Sequence, residues 1–238
     1  MPGTLYVVAT PIGNLEDITL RALRVLREVD VIACEDTRRT RVLLARHQVA
    51  TATVSYHEHN HRTRGPELVR RLCAGGSVAL VTDAGTPGLS DPGFRLVRQA
   101  RAAGVPVVPV PGPSAVAAAL SASGVPADRF VFEGFLPARP GRRLSRLREL
   151  AALEMTLVLY ESPHRILATL EALAEVFGDR EIVVARELTK QFEEIVAAPA
   201  EVHRARLAEA GGARGEFTVV VPARPAPPAG QAYTAGER

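Results

Sequence analysis

Residues 78–93 read VALVTDAGTPGLSDPG, and this stretch decides the fold class. It begins with a short apolar run, passes through a turn rich in glycine and proline, and leads into an amphipathic segment. A short apolar run bounded by turn residues is typical of a buried strand. A strand that feeds a helix through such a turn is the repeating unit of a parallel sheet with helices on its faces. The stretch therefore predicts an α/β fold whose ligands bind beyond the carboxyl ends of the strands.

The same alternation of strand and helix extends on both sides of this stretch, from residue 5 to residue 121. Strands are predicted at 5–9, 31–34, 78–82 and 105–110, and helices at 40–47, 66–74, 93–103 and 114–121, with a further helix from Leu20. Asp17 or Thr19 is expected to cap that further helix. Its apolar face is predicted to be Leu20, Leu23, Leu26 and Val29, and the helix at 40–47 is expected to turn Val42, Leu43 and Leu44 inward.

The pattern changes after Gly124-Val125-Pro126, which predicts a domain joint there. Strands are expected at 130–132, 156–160, 181–185, 192–197 and 217–221, and helices at 144–153, 165–177 and 200–210. Because some strands follow one another without a helix between them, the second sheet should be mixed. We therefore expect a parallel-sheet domain over 1–123, a mixed-sheet domain over 124–222, and a disordered tail rich in proline and alanine over 223–238.

Composition indicates an ordinary globular protein. The 238 residues are 47% hydrophobic and 23% charged, with a formal net charge of +3. The sequence holds no uninterrupted apolar run of about 18 residues, so no membrane span is expected. The two cysteines, Cys34 and Cys73, stand in no metal-binding spacing. The N-terminus reads as a first strand and not as a signal peptide, and a reducing, cytoplasmic location is expected.

Three turns that follow strands and open helices are dense in glycine and proline: 10–15, 83–93 and 111–115. The chain has neither G-x-G-x-x-G nor G-x-x-x-x-G-K-[ST], so the sequence does not indicate a dinucleotide-binding site or a P-loop. The three turns contain Asp83, Ser114 and backbone carbonyls but no lysine or arginine. A site that offers hydrogen-bond acceptors and no cationic side chains suits a positively charged nucleoside such as S-adenosylmethionine better than it suits a phosphate. The alternative is that each turn is a plain connection between a strand and a helix.

Nine blocks occur in the order TPIGNLEDITLRAL, EDTRRT, SYHEHN, DAGTPGLSDPG, PGPSAV, FEGFLPA, YESPHR, ARELTK and RGEF. Together they resemble the family of ribosomal RNA small-subunit ribose-2′-O-methyltransferases, methyltransferase I, within the tetrapyrrole (corrin/porphyrin) methylase superfamily. The resemblance runs from about Leu5 to Val221 and leaves out only the prolyl tail.

This resemblance implies the two-domain tetrapyrrole-methylase (class III methyltransferase) fold, with S-adenosylmethionine in the cleft between the domains and a homodimer as the assembly. It implies 2′-O-methylation of a cytidine in the decoding region of 16S ribosomal RNA, on the small ribosomal subunit. The cofactor contacts carried over by motif are Pro11, Asp83, Gly85, Ser114 and Ala115 from the first domain, and Tyr160, Ala185, Gly215, Glu216 and Phe217 from the second.

Methyl transfer to a ribose hydroxyl needs alignment and a group that removes or stabilises the hydroxyl proton. The candidates are Glu35, Asp36, Glu187 and Lys190. For Glu35 and Asp36 the alternative is a helix N-cap. Only one of the 29 basic residues is a lysine. Lys190 is predicted to stabilise the developing alkoxide, to hold a phosphate or, if buried and neutral, to act as the base.

Cationic and imidazole side chains are the predicted RNA contacts, since arginine binds phosphate in a bidentate manner. They are Arg38, Arg39, His57, His59, Arg139, Arg142, Arg143, His164 and Arg165. The alternative for the arginines around residues 142–148 is a solvated helix face. If residues 57–61 form a strand, the histidines two apart share one face, yet the expectation is no metal, because the spacing matches no standard zinc motif. Base stacking is left to Tyr56, Phe135 and Tyr160.

Two other functions stay open from the sequence. A sister enzyme of the same superfamily methylates a tetrapyrrole carbon, and composition does not separate the two. A non-catalytic ribosome-assembly factor would bind RNA without transferring a methyl group. The nine blocks favour the RNA methyltransferase over both.

Overall fold

The structure, a computed structural model, describes residues 2–91, 93–209 and 213–223. The chain divides into two compact units at the step from Ala118 to Ala119. This division falls inside a helix, whereas the sequence predicted the joint after residue 123, at the carboxyl end of that same helix. The predicted disordered tail lies, apart from residue 223, outside the described residues.

The first unit is a five-stranded parallel sheet with helices between the strands. Its strands are β1 (Leu5–Val8), β2 (Val31–Cys34), β3 (Thr53–Ser55), β4 (Val78–Leu80) and β5 (Val107–Val110), and its helices are α1 (Leu20–Glu28), α2 (Thr37–Arg46), α3 (His61–Cys73), α4 (Phe94–Ala102) and α5 (Ala115–Ser123). The strand order is β3-β2-β4-β1-β5, and each neighbouring pair is parallel. The carboxyl ends of all five strands therefore meet at one edge of the sheet.

Alternate residues of β2 pack into two different cores. Ile32 and Cys34 join the cluster that includes α1 and α2, while Val31 and Ala33 join the cluster that includes α3 and α4. A strand buried on both faces reads as a continuous apolar run, and this is why the sequence predicted these strands well.

Three details of the predicted helices were wrong. Leu20 is 87% exposed and Val42 is 61% exposed, so neither belongs to the core face of its helix. Leu26 and Val29 of the predicted face of α1 are buried, Ala22 and Val25 are buried beside them although the sequence did not name them, and Thr19 caps the helix by accepting from the Ala22 N–H. Helix α3 begins at His61, five residues before its predicted start at Pro66. The prediction placed Pro66 in the first turn of the helix, where proline is common.

The second unit carries the predicted mixed sheet. Its strands are β6 (Phe130–Phe135), β7 (Thr156–Glu161), β8 (Glu181–Arg186), β9 (Glu194–Pro199) and β10 (Phe217–Val221), and its helices are α6 (Pro140–Ala151), α7 (Ile166–Phe177) and α8 (Ala200–Glu209). The order is β6-β7-β10-β8-β9, in which only the pair β6 and β7 is parallel. One core holds side chains from all three helices, including Leu147, Ile166 and Leu207.

Both cysteines are free thiols, with Cys34 buried and Cys73 exposed. Among the helices of the described chain, none has the length and apolar character needed to cross a membrane.

Candidate active site

The three glycine- and proline-rich turns are bonded to one another at the carboxyl edge of the first sheet. Thr10 and Gly85 exchange two backbone hydrogen bonds, of 2.9 and 3.0 Å. The Thr10 hydroxyl donates to the Thr82 carbonyl at 3.0 Å. The Thr86 hydroxyl donates to the Pro113 carbonyl at 3.3 Å, which ties the second turn to the third. The turns that follow β1, β4 and β5 therefore act as one structural element.

Backbone conformation at Gly85 and close approach at Gly112 explain two of the glycines in these turns. Gly85 has φ +78°, a conformation that side chains rarely adopt, and a Cβ there would lie 3.5 Å from Ile12 Cγ2. A Cβ on Gly112 would lie 3.1 Å from the Ala9 Cβ, tighter than ordinary contact. A side chain at position 85 would be strained by the backbone conformation, and one at position 112 would press on Ala9.

All five cofactor contacts predicted for the first unit lie on this edge. Pro11 and Gly85 are buried, while Asp83, Ser114 and Ala115 are half-buried. The turns are not free of nearby cations, however, because Arg39 Nη1 from α2 approaches Asp83 Oδ2 at 3.4 Å. The other oxygen of Asp83 accepts the Asp36 N–H at 3.0 Å, so Asp83 also anchors the turn after β2.

Asp36 takes the capping role that the sequence left open for it. Its Oδ1 accepts the Arg38 N–H at 2.8 Å at the start of α2, and its Oδ2 pairs with Arg38 Nη2 at 2.9 Å. These bonds lower the pKa of Asp36 to about 2. A carboxylate with such a low pKa is a poor proton acceptor, so Asp36 is not a suitable general base.

Glu35 has the opposite environment. The Glu35 residue is exposed. Partial loss of hydration, followed by the charges of Asp83 and Asp91, raises the pKa of its carboxyl. Asp91, which the sequence did not single out, accepts the N–H groups of Gly88 at 2.8 Å and Gly93 at 2.6 Å and so closes the second turn. Burial also raises the pKa of Asp91. The signal for Asp91 was present in the S-D-P-G segment, since aspartate accepts from backbone groups in turns.

Residues 57–60 form a turn between β3 and α3, so the assumption of a strand was wrong. The His57 N–H donates to Asn60 Oδ1 at 2.9 Å, and the His57 and His59 rings stand 5.9 Å apart. Within the described residues no group of three or more His, Cys, Asp or Glu side chains is placed to hold a metal ion. Tyr56 is buried at 2% exposure and cannot serve as the stacking surface that the sequence suggested.

In the second unit, Lys190 joins two of the other predicted residues. Its Nζ lies 2.8 Å from Glu187 Oε1 and 3.0 Å from Glu216 Oε2. The same Glu187 oxygen accepts the Glu216 N–H at 2.9 Å. Gly215 has φ +90°, and a Cβ there would lie 2.4 Å from Glu187 Cγ, so only glycine allows this packing.

The charged groups in this cluster stabilise one another in their ionised forms. Burial opposes the charge on Lys190, but its hydrogen bonds to Glu187 and Glu216 outweigh burial and raise the pKa of the ammonium. For Glu187 burial likewise opposes the charge, and the bonds from Lys190 and the Glu216 N–H outweigh it and lower the pKa. Lys190 therefore remains a cation, and the hypothesis that it acts as a neutral base is wrong.

The other predicted cofactor contacts of the second unit lie at the same edge of its sheet. Tyr160 and Ala185 both pair with Thr218 of β10, from opposite sides. Thr218 directly follows Phe217, so these residues surround the segment 215–217. The structure thus brings them together, while their contact with a cofactor stays a prediction.

The predicted RNA contacts divide into exposed and internal side chains. Exposed or half-exposed are Arg38, Arg39, His57, His59, Arg139, Arg142 and His164. Arg143 is only 5% exposed and donates to Thr169 Oγ1, so it was wrongly predicted to reach a phosphate. Arg165 donates to the Leu136 carbonyl and faces Glu161, so it is also engaged inside the unit. Nearby, Arg146 and Arg148 pair with Glu133 and Glu175.

The chain is similar to known methyltransferases. The family model of the Tetrapyrrole (Corrin/Porphyrin) Methylases matches residues 4–202. The Ribosomal RNA small subunit methyltransferase I of Pseudomonas aeruginosa is 53% identical over 227 residues, covering 94% of this chain and 80% of the relative. The protein of the same name from Mesorhizobium japonicum is 52% identical over 218 residues, covering 91% and 74%.

Solved structures share the fold at low identity. A cobalamin biosynthetic enzyme, cobalt precorrin-4 methyltransferase, superposes with a TM-score of 0.69 at 19% identity, covering 92% of this chain and 94% of that one. The uroporphyrin-III C-methyltransferase of Thermus thermophilus in complex with S-adenosylhomocysteine gives 0.63 at 23% identity, covering 93% and 98%. The expected fold class is confirmed.

The family model covers most of the chain, and relatives at about half identity cover nearly all of it. The chain belongs to the tetrapyrrole methylase family and, within it, to the ribosomal RNA small subunit methyltransferase I family.

Proposed function

We propose that this protein transfers a methyl group from S-adenosylmethionine to the ribose 2′-hydroxyl of a cytidine in the decoding region of 16S ribosomal RNA. The observation that carries the proposal is the bonded set of three turns at one sheet edge, in a chain about half identical to proteins named Ribosomal RNA small subunit methyltransferase I. The assembled small subunit is the proposed substrate, a homodimer the proposed assembly and the cytoplasm the proposed location.

The first-unit turns fit a positively charged nucleoside. They present backbone carbonyls and the Asp83 carboxylate, and they contain no lysine or arginine of their own; the one described cation paired with them is Arg39, which lies 3.4 Å from Asp83 and is 68% exposed. S-adenosylmethionine, when bound, supplies a methyl group on such a sulfonium. Pro11, Asp83, Gly85, Ser114 and Ala115 would hold it, with the backbone of the turns fixed in advance by the bonds between Thr10 and Gly85. Preset geometry of this kind contributes to alignment, which supplies about 7–11 kcal/mol in well-oriented reactions.

Glu35 is the proposed proton acceptor. A general base works best when its pKa lies near the operating pH, and the raised pKa of Glu35 moves it in that direction. Asp36 and Glu187, the other two carboxylates considered, are already bonded to Arg38 and Lys190. Lys190 stays charged, so its proposed role is to stabilise negative charge that develops on the hydroxyl oxygen.

The direct test is transfer of radiolabelled methyl from S-adenosylmethionine to purified small subunits that lack the modification, followed by mapping of the methylated nucleotide. We expect label in one 2′-O-methylcytidine and a loss of about 10²–10⁴-fold in turnover for Glu35→Gln. Glu67→Gln, on an exposed face of α3, is the matched control and should leave turnover unchanged.

Two results of this assay would contradict the proposal. Label in a uroporphyrinogen-like acceptor but not in RNA would make the protein a tetrapyrrole methylase. Binding of small subunits without any transfer by the folded protein would leave only an assembly role.

A further inference from the structure

An exposed aromatic ring stands at the carboxyl end of β6. Phe135 is 52% exposed, and its ring centroid lies 6.0 Å from that of Tyr160 on the neighbouring strand. Phe132 packs edge-to-face against the same tyrosine at 4.8 Å. Tyr160 thus supports Phe135 from below the surface. We call Phe135 and Tyr160 the aromatic platform.

A bulge in β6 aims Phe135 at this position. The register between β6 and β7 shifts between Phe132 and Gly134, and Gly134 has φ +71°. After the shift, Phe135 pairs directly with Tyr160. Bulges re-aim a side chain at the end of a strand and are common beside functional sites.

A buried polar network fixes the segments that follow the two aromatic residues. The Glu161 side chain is fully buried; its Oε2 accepts from Thr169 Oγ1 at 2.7 Å and its Oε1 accepts from the Ser162 N–H at 2.8 Å. Arg165 Nε lies 3.6 Å from Glu161 Oε1, and Arg165 Nη2 donates to the Leu136 carbonyl. Arg165 therefore links the residue after Phe135 to the residue after Tyr160.

Such a network has a cost, because a buried carboxylate and its cation must give up hydration. Well-packed apolar side chains would hold the core of this unit at least as well. What the network adds is a fixed position for two backbone segments at a sheet end. A rigid binding surface needs its supporting backbone segments to be fixed in this way.

Exposed cationic or imidazole side chains lie on the segments that follow the two platform strands. Because β6 and β7 are parallel, the segments after both strands leave the same edge of the sheet. These segments carry Arg139 and His164, which are exposed, and Arg142 is exposed on the first turn of α6. Exposed aromatic rings flanked by cations are how proteins bind single-stranded nucleic acid, with bases stacked on the rings and phosphates near the cations.

We propose that Phe135, the exposed ring of the aromatic platform, stacks an unpaired nucleobase of the RNA substrate, that Tyr160 only supports this ring, and that Arg165 and Glu161 are positioning residues that hold the platform in place. The inference rests on the proposed function only in taking RNA as the substrate. Arg165, which the sequence assigned to RNA contact, acts through Phe135 and Tyr160 instead.

The first experiment measures binding of a single-stranded oligocytidine that carries one 2-aminopurine, using the full chain and the quenching of 2-aminopurine by stacking. Phe135→Leu is expected to weaken binding about 5- to 150-fold and to abolish quenching, whereas Phe135→Tyr should retain both. Phe130→Leu is the matched control, since Phe130 is 44% exposed at the other end of the same strand. Calorimetric affinity for S-adenosylmethionine should be unchanged in all three variants.

Three outcomes would overturn the inference. Phe135→Leu could leave oligonucleotide binding unchanged, could weaken the cofactor as much as the RNA, or could convert a dimer to a monomer in sedimentation. The second outcome would make the platform part of the cofactor site, and the third would make it a subunit contact. Since this readout needs no turnover, a failure of methyl transfer alone would count against the proposed function and not against the platform.

The second experiment tests the positioning role with Arg165→Lys, which keeps the charge but removes the planar fork. At a temperature where circular dichroism shows the variant folded, we expect loss of 2-aminopurine quenching with unchanged affinity for S-adenosylmethionine. A merely structural role would lower the thermal midpoint but leave quenching intact in the folded protein. That result would refute the role assigned to Arg165.

Discussion

Gly215→Ala tests the packing of the Lys190 cluster. The added methyl would lie 2.4 Å from Glu187 Cγ and 2.6 Å from its Oε1, distances at which Glu187 must move. In moving, Glu187 loses its bonds to Lys190 Nζ, at 2.8 Å, and to the Glu216 N–H, at 2.9 Å. The backbone at φ +90° adds strain for any residue with a side chain.

The expected loss in the free energy of unfolding is the sum of the backbone strain and the two lost hydrogen bonds. Left-handed backbone costs about 1–2 kcal/mol for a residue other than glycine. Each lost hydrogen bond costs about 1 kcal/mol, after allowing for the partial solvent screening of Lys190 and Glu187. We therefore expect a decrease of about 3–4 kcal/mol in the free energy of unfolding of the second unit. Methyl transfer should also fall, because Lys190 loses a partner that holds it.

Gly124→Ala is the matched control. Gly124 belongs to the same unit and has φ +68°, but a Cβ there would meet nothing within 4 Å. This variant should lose only the backbone part, about 1–2 kcal/mol, and keep its activity. Urea unfolding followed by circular dichroism, together with the methyl-transfer assay, measures both quantities. Equal loss of stability in the two variants would show that Glu187 is not displaced, and the reasoning about the cluster would be refuted.

Three further predictions concern titration and charge. With Glu35 as the base, turnover should fall as the pH drops through a pKa above that of an ordinary glutamate, and Glu35→Gln should lose this acid limb; an unchanged pH profile would exclude Glu35. Lys190→Arg should reduce turnover more than cofactor affinity, since arginine cannot reproduce a compact ammonium between two carboxylates, and equal turnover in the two proteins would refute a special role for lysine. Burial lowers the pKa of His203, so the unfolded chain binds more protons below a pH of about 6.5, and stability should decrease as the pH falls through that region. His203→Gln should flatten this dependence in pH-resolved thermal melts, and an unchanged slope in this variant would disprove the assignment.

Local pattern was enough to predict most of the fold. The strands of the first sheet were found because each is a short apolar run between turn residues, and burial on both faces makes that pattern strong. The errors at Leu20 and Val42 arose where an apolar residue lies on a helix face that no neighbouring element covers. The apolar periodicity of a single helix cannot reveal which face is covered.

The residues of the candidate site in the first unit could be predicted to lie together, because the carboxyl ends of parallel strands meet at one edge of the sheet. Pro11, Asp83, Gly85, Ser114 and Ala115 were expected together, and the parallel order of β4, β1 and β5 places them there. The sequence left the helix cap open for Asp36, whereas the bond from Arg165 to the Leu136 carbonyl could not be foreseen because only the fold brings those two residues close. Asp91 was missed although its S-D-P-G segment is typical of an aspartate that accepts from backbone groups in a turn.

The sequence by itself determined the fold family, the cation-poor turns and the position of the lone lysine, since these follow from residue type, spacing and order along the chain. Tertiary structure alone decided which of the charged residues are free to act. Arg165 meets the Leu136 carbonyl from 29 positions away, and Lys190 meets Glu216 from 26 positions away. A charge acts according to its partners and its burial, and both depend on elements that are distant in sequence and adjacent in space.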